Sequence, residues 1–150
     1  MTNDVDDSNA TKPSAEKQNL HGAPRVTGIG GVFFRANNPA ESSAWYQQHL
    51  GIAPDWEHGK AFAWRHADNP QKPGMTVWSQ FARDTAYFGN LDQQYMINYR
   101  VDNLDALLDA LRQEGVWIDD KREDSDYGRF AWIKDCDGNR IELWQPPEGS

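Results

Sequence analysis

"FFRANNPAESSAWYQQHLGI" (33–52) and "NYRVDNLDALLDALRQEGVW" (98–117) follow one plan. Each is an apolar segment with Arg near its end, an Asn- or Asp-bearing corner, a helical stretch, and a stop at Gly followed by an apolar residue. The parallel continues downstream. "GKAFAW" (59–64) answers "GRFAW" (128–132), and "MTVWSQF" (75–81) answers "RIELWQP" (140–146), all at an offset near 65 residues. Three matches in the same order predict an internal duplication.

Within each copy the local signals agree. "IGGVFFRA" reads as a strand, Asn38 as a helix N-cap, Pro39 as the first helical residue, and Glu41 as the third position of a capping box. Trp45, Tyr46 and Leu50 supply an apolar stripe, and Gly51 ends the helix. In the second copy "YMINYRV" is the strand and Asp102 or Asn103 the cap. Leu104, Leu107, Leu108 and Leu111 keep the helical period, and Gly115 closes. Three shorter strands follow each helix, at 55–58, 61–65 and 76–80, then at 116–119, 129–134 and 140–145. "HADNPQKPG" and "KDCDGN" read as turns, and the acidic run "DDKREDSD" (119–126) as a solvated hairpin loop. The predicted architecture is α+β: two tandem βαβββ modules, 25–94 and 95–150, making a cupped, half-barrel-like sheet pair behind a disordered tail, 1–24.

Strand alternation assigns the faces. Val32, Phe34 and Ala36, with Ile97, Tyr99 and Val101, belong under the helices. Gly31, Phe33 and Arg35, with Met96, Asn98 and Arg100, face the other way and line a cleft. Glu142 lies between Ile141 and Leu143 and shares that cleft. A carboxylate there needs a partner or takes a raised pKa. Arg35, Arg100 and Arg140 are candidate partners, with Asn98 as a neutral donor. Glu142 is then a structural ion pair, or a catalytic or ligand-accepting carboxylate beside a positive group.

Composition sets outer limits. The 150 residues carry a formal net charge of −8 and seven tryptophans, so a core is within reach and a nucleic-acid or anionic-membrane surface is not expected. The single cysteine, Cys136, cannot pair internally and fits a reducing, cytoplasmic setting. No apolar run reaches membrane-spanning length. "GIGG" (28–31) is no dinucleotide fingerprint, because position 33 is Phe and the glycines precede a strand instead of a helix. The histidines, His21, His49, His58 and His66, read as surface residues.

The segments "GGVFFRANNPAESSAWYQQHLGI", "NYRVDNLDALLDAL" and "GRFAWIKDCDGNRIELWQP" resemble the vicinal oxygen chelate superfamily of glyoxalases, bleomycin-resistance proteins and extradiol dioxygenases. The likeness spans residues 26–146. It implies four pseudo-symmetric strand positions that hold one divalent ion in metal-dependent members. Carried over, these fall on Gly31, Met96, Glu142 and Val77. Only Glu142 offers a hard donor, which is too few for such an ion, so no metal cofactor is expected. The resemblance therefore implies a small organic ligand held in the cleft without metal, in the manner of a bleomycin-resistance protein. The alternative is a glyoxalase-type lyase or isomerase, or a dioxygenase-related enzyme, on a small carbonyl-bearing substrate with Glu142 as base. The expected ligand contacts are Phe33, Arg35, Met96, Asn98, Arg100, Trp78, Trp132 and Trp144, and a homodimer is the expected assembly.

Overall fold

The computed structural model describes residues 25–150, so the tail expected at 1–24 lies outside the described residues. Nine elements follow in order: β1 (Val26–Ala36), α1 (Pro39–Leu50), β2 (Gly59–His66), β3 (Asn69–Ala82), β4 (Tyr95–Val101), α2 (Leu104–Gln113), β5 (Ile118–Ser125), β6 (Gly128–Lys134) and β7 (Arg140–Gln145). The α+β class is as expected. The seven strands form one sheet in the order β2-β3-β1-β4-β7-β6-β5, and it is not closed into a barrel. The module sheets are joined edge to edge, because β1 and β4 pair antiparallel, with Gly31 opposite Asn98. The order is symmetric about that seam: β1 runs parallel to β3, and β4 parallel to β7.

The helix caps follow from side-chain chemistry. Asn38 accepts a hydrogen bond from the Glu41 amide and Pro39 opens α1, while Gly51 closes it at a left-handed φ of 71°. Asn103, not Asp102, caps α2 by accepting from the Ala106 amide. The leucines of α2 are buried where their period put them: Leu104, Leu107 and Leu108 pack with Val101, Ala131 and Leu143. In contrast, α1 buries nothing. Trp45 and Tyr46 are adjacent and point about 100° apart, so only one can reach the sheet. Tyr46 does, meeting Phe34 and Trp78 at ring distances of 5.9 and 4.9 Å, while Trp45 and Leu50 stay 52% and 60% exposed.

Three local expectations need correction. The strand at 55–58 amounts to one bridge, Trp56 with Gly59. Most of "HADNPQKPG" is strand, since β3 begins at Asn69 and pairs with β2. The acidic run is not a loop but most of β5, paired with β6 at the sheet's edge. Charges on both sides of an edge strand hide its period, and they also keep that edge from pairing with other chains. Among the described residues, no helix is long and apolar enough to cross a membrane.

Candidate functional site

The face opposite the helices carries a row of register partners: Val77 beside Gly31, Gly31 beside Asn98, Asn98 beside Glu142, and Glu142 beside Trp132. This row corrects the carried-over quartet. The counterpart of Gly31 across the seam is Asn98, not Met96, which pairs with Phe33 two residues away on the same face. Gly31 and Val77 have no side-chain donor. The Asn98 carboxamide and the Glu142 carboxylate are the only heteroatoms the four positions offer, and Asn98 turns its amide nitrogen toward Glu142. Such a row does not fit a divalent metal centre, which needs about three protein donors.

Glu142 is 2% exposed and accepts from three neutral donors. Asn98 Nδ2 reaches one oxygen at 2.6 Å, and Trp132 Nε1 reaches the other at 3.0 Å. The Tyr87 hydroxyl donates to that second oxygen as well. Among the described residues no cation pairs with it, and neutral donors hold this carboxylate in place of the structural ion pair. Arg35 is engaged by main-chain carbonyls, Arg140 by Asp119 at 2.9 Å, and Arg100 lies further along β4. Burial raises the Glu142 carboxyl above its ordinary value, and the three hydrogen bonds offset only part of that. Tyr87 is raised too, first by burial and then by the adjacent negative charge.

Tyr87 was not foreseen, nor was its neighbour Phe88. Both come from the segment between β3 and β4, which folds over the sheet and fills the cleft. Phe88 is fully buried in a cluster with Phe33, Met96 and Trp132. Tyr87 stacks on Phe81 at 5.3 Å with rings 8° from parallel, and meets Trp132 edge-on. Arg35 anchors this segment. Its guanidinium donates to the carbonyls of Arg83, Thr85, Asn90 and Gln93 and lies 4.9 Å from the centre of the Phe88 ring. The available signal was "TAYFGN" (85–90), two large aromatics inside a stretch otherwise polar enough to be a connection.

The remaining expected contacts divide. Phe33, Met96, Asn98, Trp132 and Glu142 come together. Trp78 does not: it packs on Phe34 and Tyr46 on the helix face, since Val77 holds the cleft side of β3. Trp144 and Arg100 lie on the cleft face but further along, with Arg100 5.2 Å from the Trp144 ring. Gly30 makes room for this arrangement, because a Cβ there would sit 2.2 Å from Asn98 Oδ1 and 2.8 Å from the Trp144 ring. Gly30 and Gly31 of "GIGG" thus serve close packing across the sheet.

The family described as Glyoxalase/Bleomycin resistance protein/Dioxygenase superfamily matches residues 28–143, and the chain belongs to it. Among solved structures, a point variant of the methylmalonyl-CoA epimerase of Streptomyces coelicolor, in complex with 2-nitronate-propionyl-CoA, is similar in fold. It has a TM-score of 0.65 and 15% identity, over 84% of this chain and 99% of that one. The methylmalonyl-CoA epimerase of Mycobacterium tuberculosis gives 0.56 and 21%, over 81% and 89%. A Legionella pneumophila chain described as an NAD-dependent benzaldehyde dehydrogenase gives 0.51 and 16%, over 77% and 97%. At such identities the likeness is one of fold. No curated protein matches the sequence.

Proposed function

We propose that this protein binds a small organic ligand on the Glu142 face without a metal ion, the ligand's hydroxyl or amide hydrogen taking the place of the Tyr87 hydroxyl. One observation carries this reading. Of the three donors to the buried carboxylate, Asn98 and Trp132 come from the sheet, while Tyr87 comes from the connection laid over it. The sheet donors are fixed by strand register; the third is held through Arg35 and ring packing, and is the one a ligand can displace. Phe33, Met96 and Trp132 would then supply the apolar walls. The test is tryptophan fluorescence against a panel of phenols, amides and amines, with metal analysis of the purified protein alongside. Saturable quenching that Glu142→Gln weakens supports the reading. Binding that requires an added divalent ion refutes it.

A second reading keeps the same residues as an enzyme. A carboxyl held above its ordinary value suits a general base, and the epimerase relatives point to isomerase chemistry in preference to a lyase. Lys121 and Arg140, 4.8 and 5.6 Å from the Trp132 ring, are the nearby cations that such a reaction would use. Deuterium uptake at carbon next to a substrate carbonyl, lost in Glu142→Gln, separates enzyme from binder. The homodimer and the cytoplasmic setting belong to the same proposal. The exposed Trp45 and Leu50 of α1 favour self-association, which light scattering measures directly.

A further inference from the structure

The Tyr87 side chain sits among groups that belong to the sheet. Its hydroxyl donates to Glu142 on β7. Its ring lies 5.3 Å from that of Phe81 on β3, 8° from parallel, and 6.2 Å from that of Trp132 on β6, which it meets edge-on. The Lys121 ammonium on β5 is 5.9 Å from the centre of the same ring and 4.8 Å from that of Trp132. Four strands thus give one contact each, while Tyr87 itself comes from the connection between β3 and β4.

Two features set this place apart from ordinary core. Tyr87 is only half-buried, so its ring already borders solvent. Among the described residues no carboxylate pairs with the Lys121 ammonium, which leaves that charge turned toward the rings. A cation over a ring face attracts the ring's quadrupole, the more so as the ring is richer in electrons. A shielded carboxylate oxygen accepts a hydroxyl hydrogen strongly. An acceptor, a stacking face and a cation are what a phenol needs, and Tyr87 shows that one fits.

We propose that the ligand of the Glu142 face is an electron-rich hydroxyaromatic whose phenol ring takes the whole place of the Tyr87 side chain. Its hydroxyl donates to Glu142, its ring stacks on Phe81, and Lys121 supplies the cation. This rests on the reading above, in which a ligand displaces Tyr87, and adds the class of molecule. The ring enters as the neutral phenol, because a phenolate meets a carboxylate of its own sign. The same surroundings keep the Tyr87 hydroxyl protonated, through burial first and the Glu142 charge second. An aliphatic amide or alcohol would satisfy Glu142 but leave Phe81 and Lys121 without a ring. Tyr87 is a tethered competitor, so a bare phenol binds wild type weakly and binds better once Tyr87 is gone.

The experiment titrates the full chain with p-cresol, which is the tyrosine side chain as a free molecule, with 4-methylanisole, which lacks the hydroxyl hydrogen, and with benzamide. It follows the indole N–H resonance of Trp132. p-Cresol is expected to shift that resonance saturably, and 4-methylanisole to bind about tenfold or more weakly, the scale of a hydrogen bond to a charged group. Tyr87→Ala should tighten p-cresol about tenfold or more. Lys121→Gln should weaken it about twofold to fivefold, as for an exposed cation over a ring. If Tyr87→Ala does not fold, the wild-type contrast between p-cresol and 4-methylanisole decides. The proposal is overturned if the two bind alike, if p-cresol leaves the Trp132 resonance in place, if Tyr87→Ala binds it no better, or if Lys121→Gln changes nothing. Benzamide binding at Trp132 without p-cresol binding would remove the phenol and keep the broader reading of this face; binding of neither would remove both.

Discussion

Replacing Glu142 by glutamine should make the protein more stable at neutral pH, by a margin that shrinks on acidification. Burial holds the Glu142 carboxyl above its ordinary 4.5, so the folded chain keeps that proton more tightly than the unfolded chain. Below 4.5 both states carry the proton and the group makes no difference. As pH rises, the unfolded chain ionises first. Wild-type stability then falls by up to about 1.4 kcal/mol per pH unit until the folded carboxyl ionises too. Glutamine carries no such proton. Its oxygen can accept from Tyr87 and Trp132, and its amide can face Asn98, whose Oδ1 is buried without a partner and can turn to accept. With the hydrogen bonds kept, the variant should lie within about 1 kcal/mol of wild type in acid. Urea unfolding of both proteins across roughly pH 4 to 8 measures the gap, as two-state behaviour is expected for a domain this small. A wild type that gains on the variant as pH rises would show that the anion has a cationic partner; that, or a gap that ignores pH, would sink the argument.

Three further outcomes follow from the same contacts. Tyr87→Phe leaves one carboxylate oxygen with Trp132 alone; it should cost about 1–2 kcal/mol in urea unfolding and tighten any ligand of the Glu142 face, since the phenol no longer competes. Phe88→Ala removes a fully buried ring and should cost about 3–4 kcal/mol, read from the same unfolding curves. Arg35→Gln deprives four carbonyls of their common donor; hydrogen exchange over 83–94 should speed up by about tenfold or more, while β4 and β7 keep their protection.

The repeat, the caps and the leucines of α2 were legible because each rests on a local rule: periodicity, a capping side chain, or a glycine stop. The cleft face of β1 and β4 was legible from alternation alone, which is why Phe33, Met96 and Asn98 fall where expected. Register is a different quantity. Placing the counterpart of Gly31 on Met96 kept the correct face but lay two residues from the register partner, which the pairing of Gly31 with Asn98 fixes. Of the partners expected for Glu142, the neutral donor Asn98 holds it and the three arginines do not. Three neutral donors serve instead, and one of them, Tyr87, belongs to a connection whose path over the sheet no local rule announces. Strand β5 escaped for the opposite reason: with charges on both sides it leaves no period to read.

The seam between β1 and β4 has a consequence for how anything reaches Glu142. Main-chain hydrogen bonds join the two halves along most of both strands, so they cannot swing apart like jaws without tearing the sheet. Entry must therefore come from above, by peeling back the short span that bears Tyr87 and Phe88. Because one guanidinium fastens that span at four points, it should lift as a single flap once Arg35, the Tyr87–Glu142 hydrogen bond and the buried Phe88 ring let go.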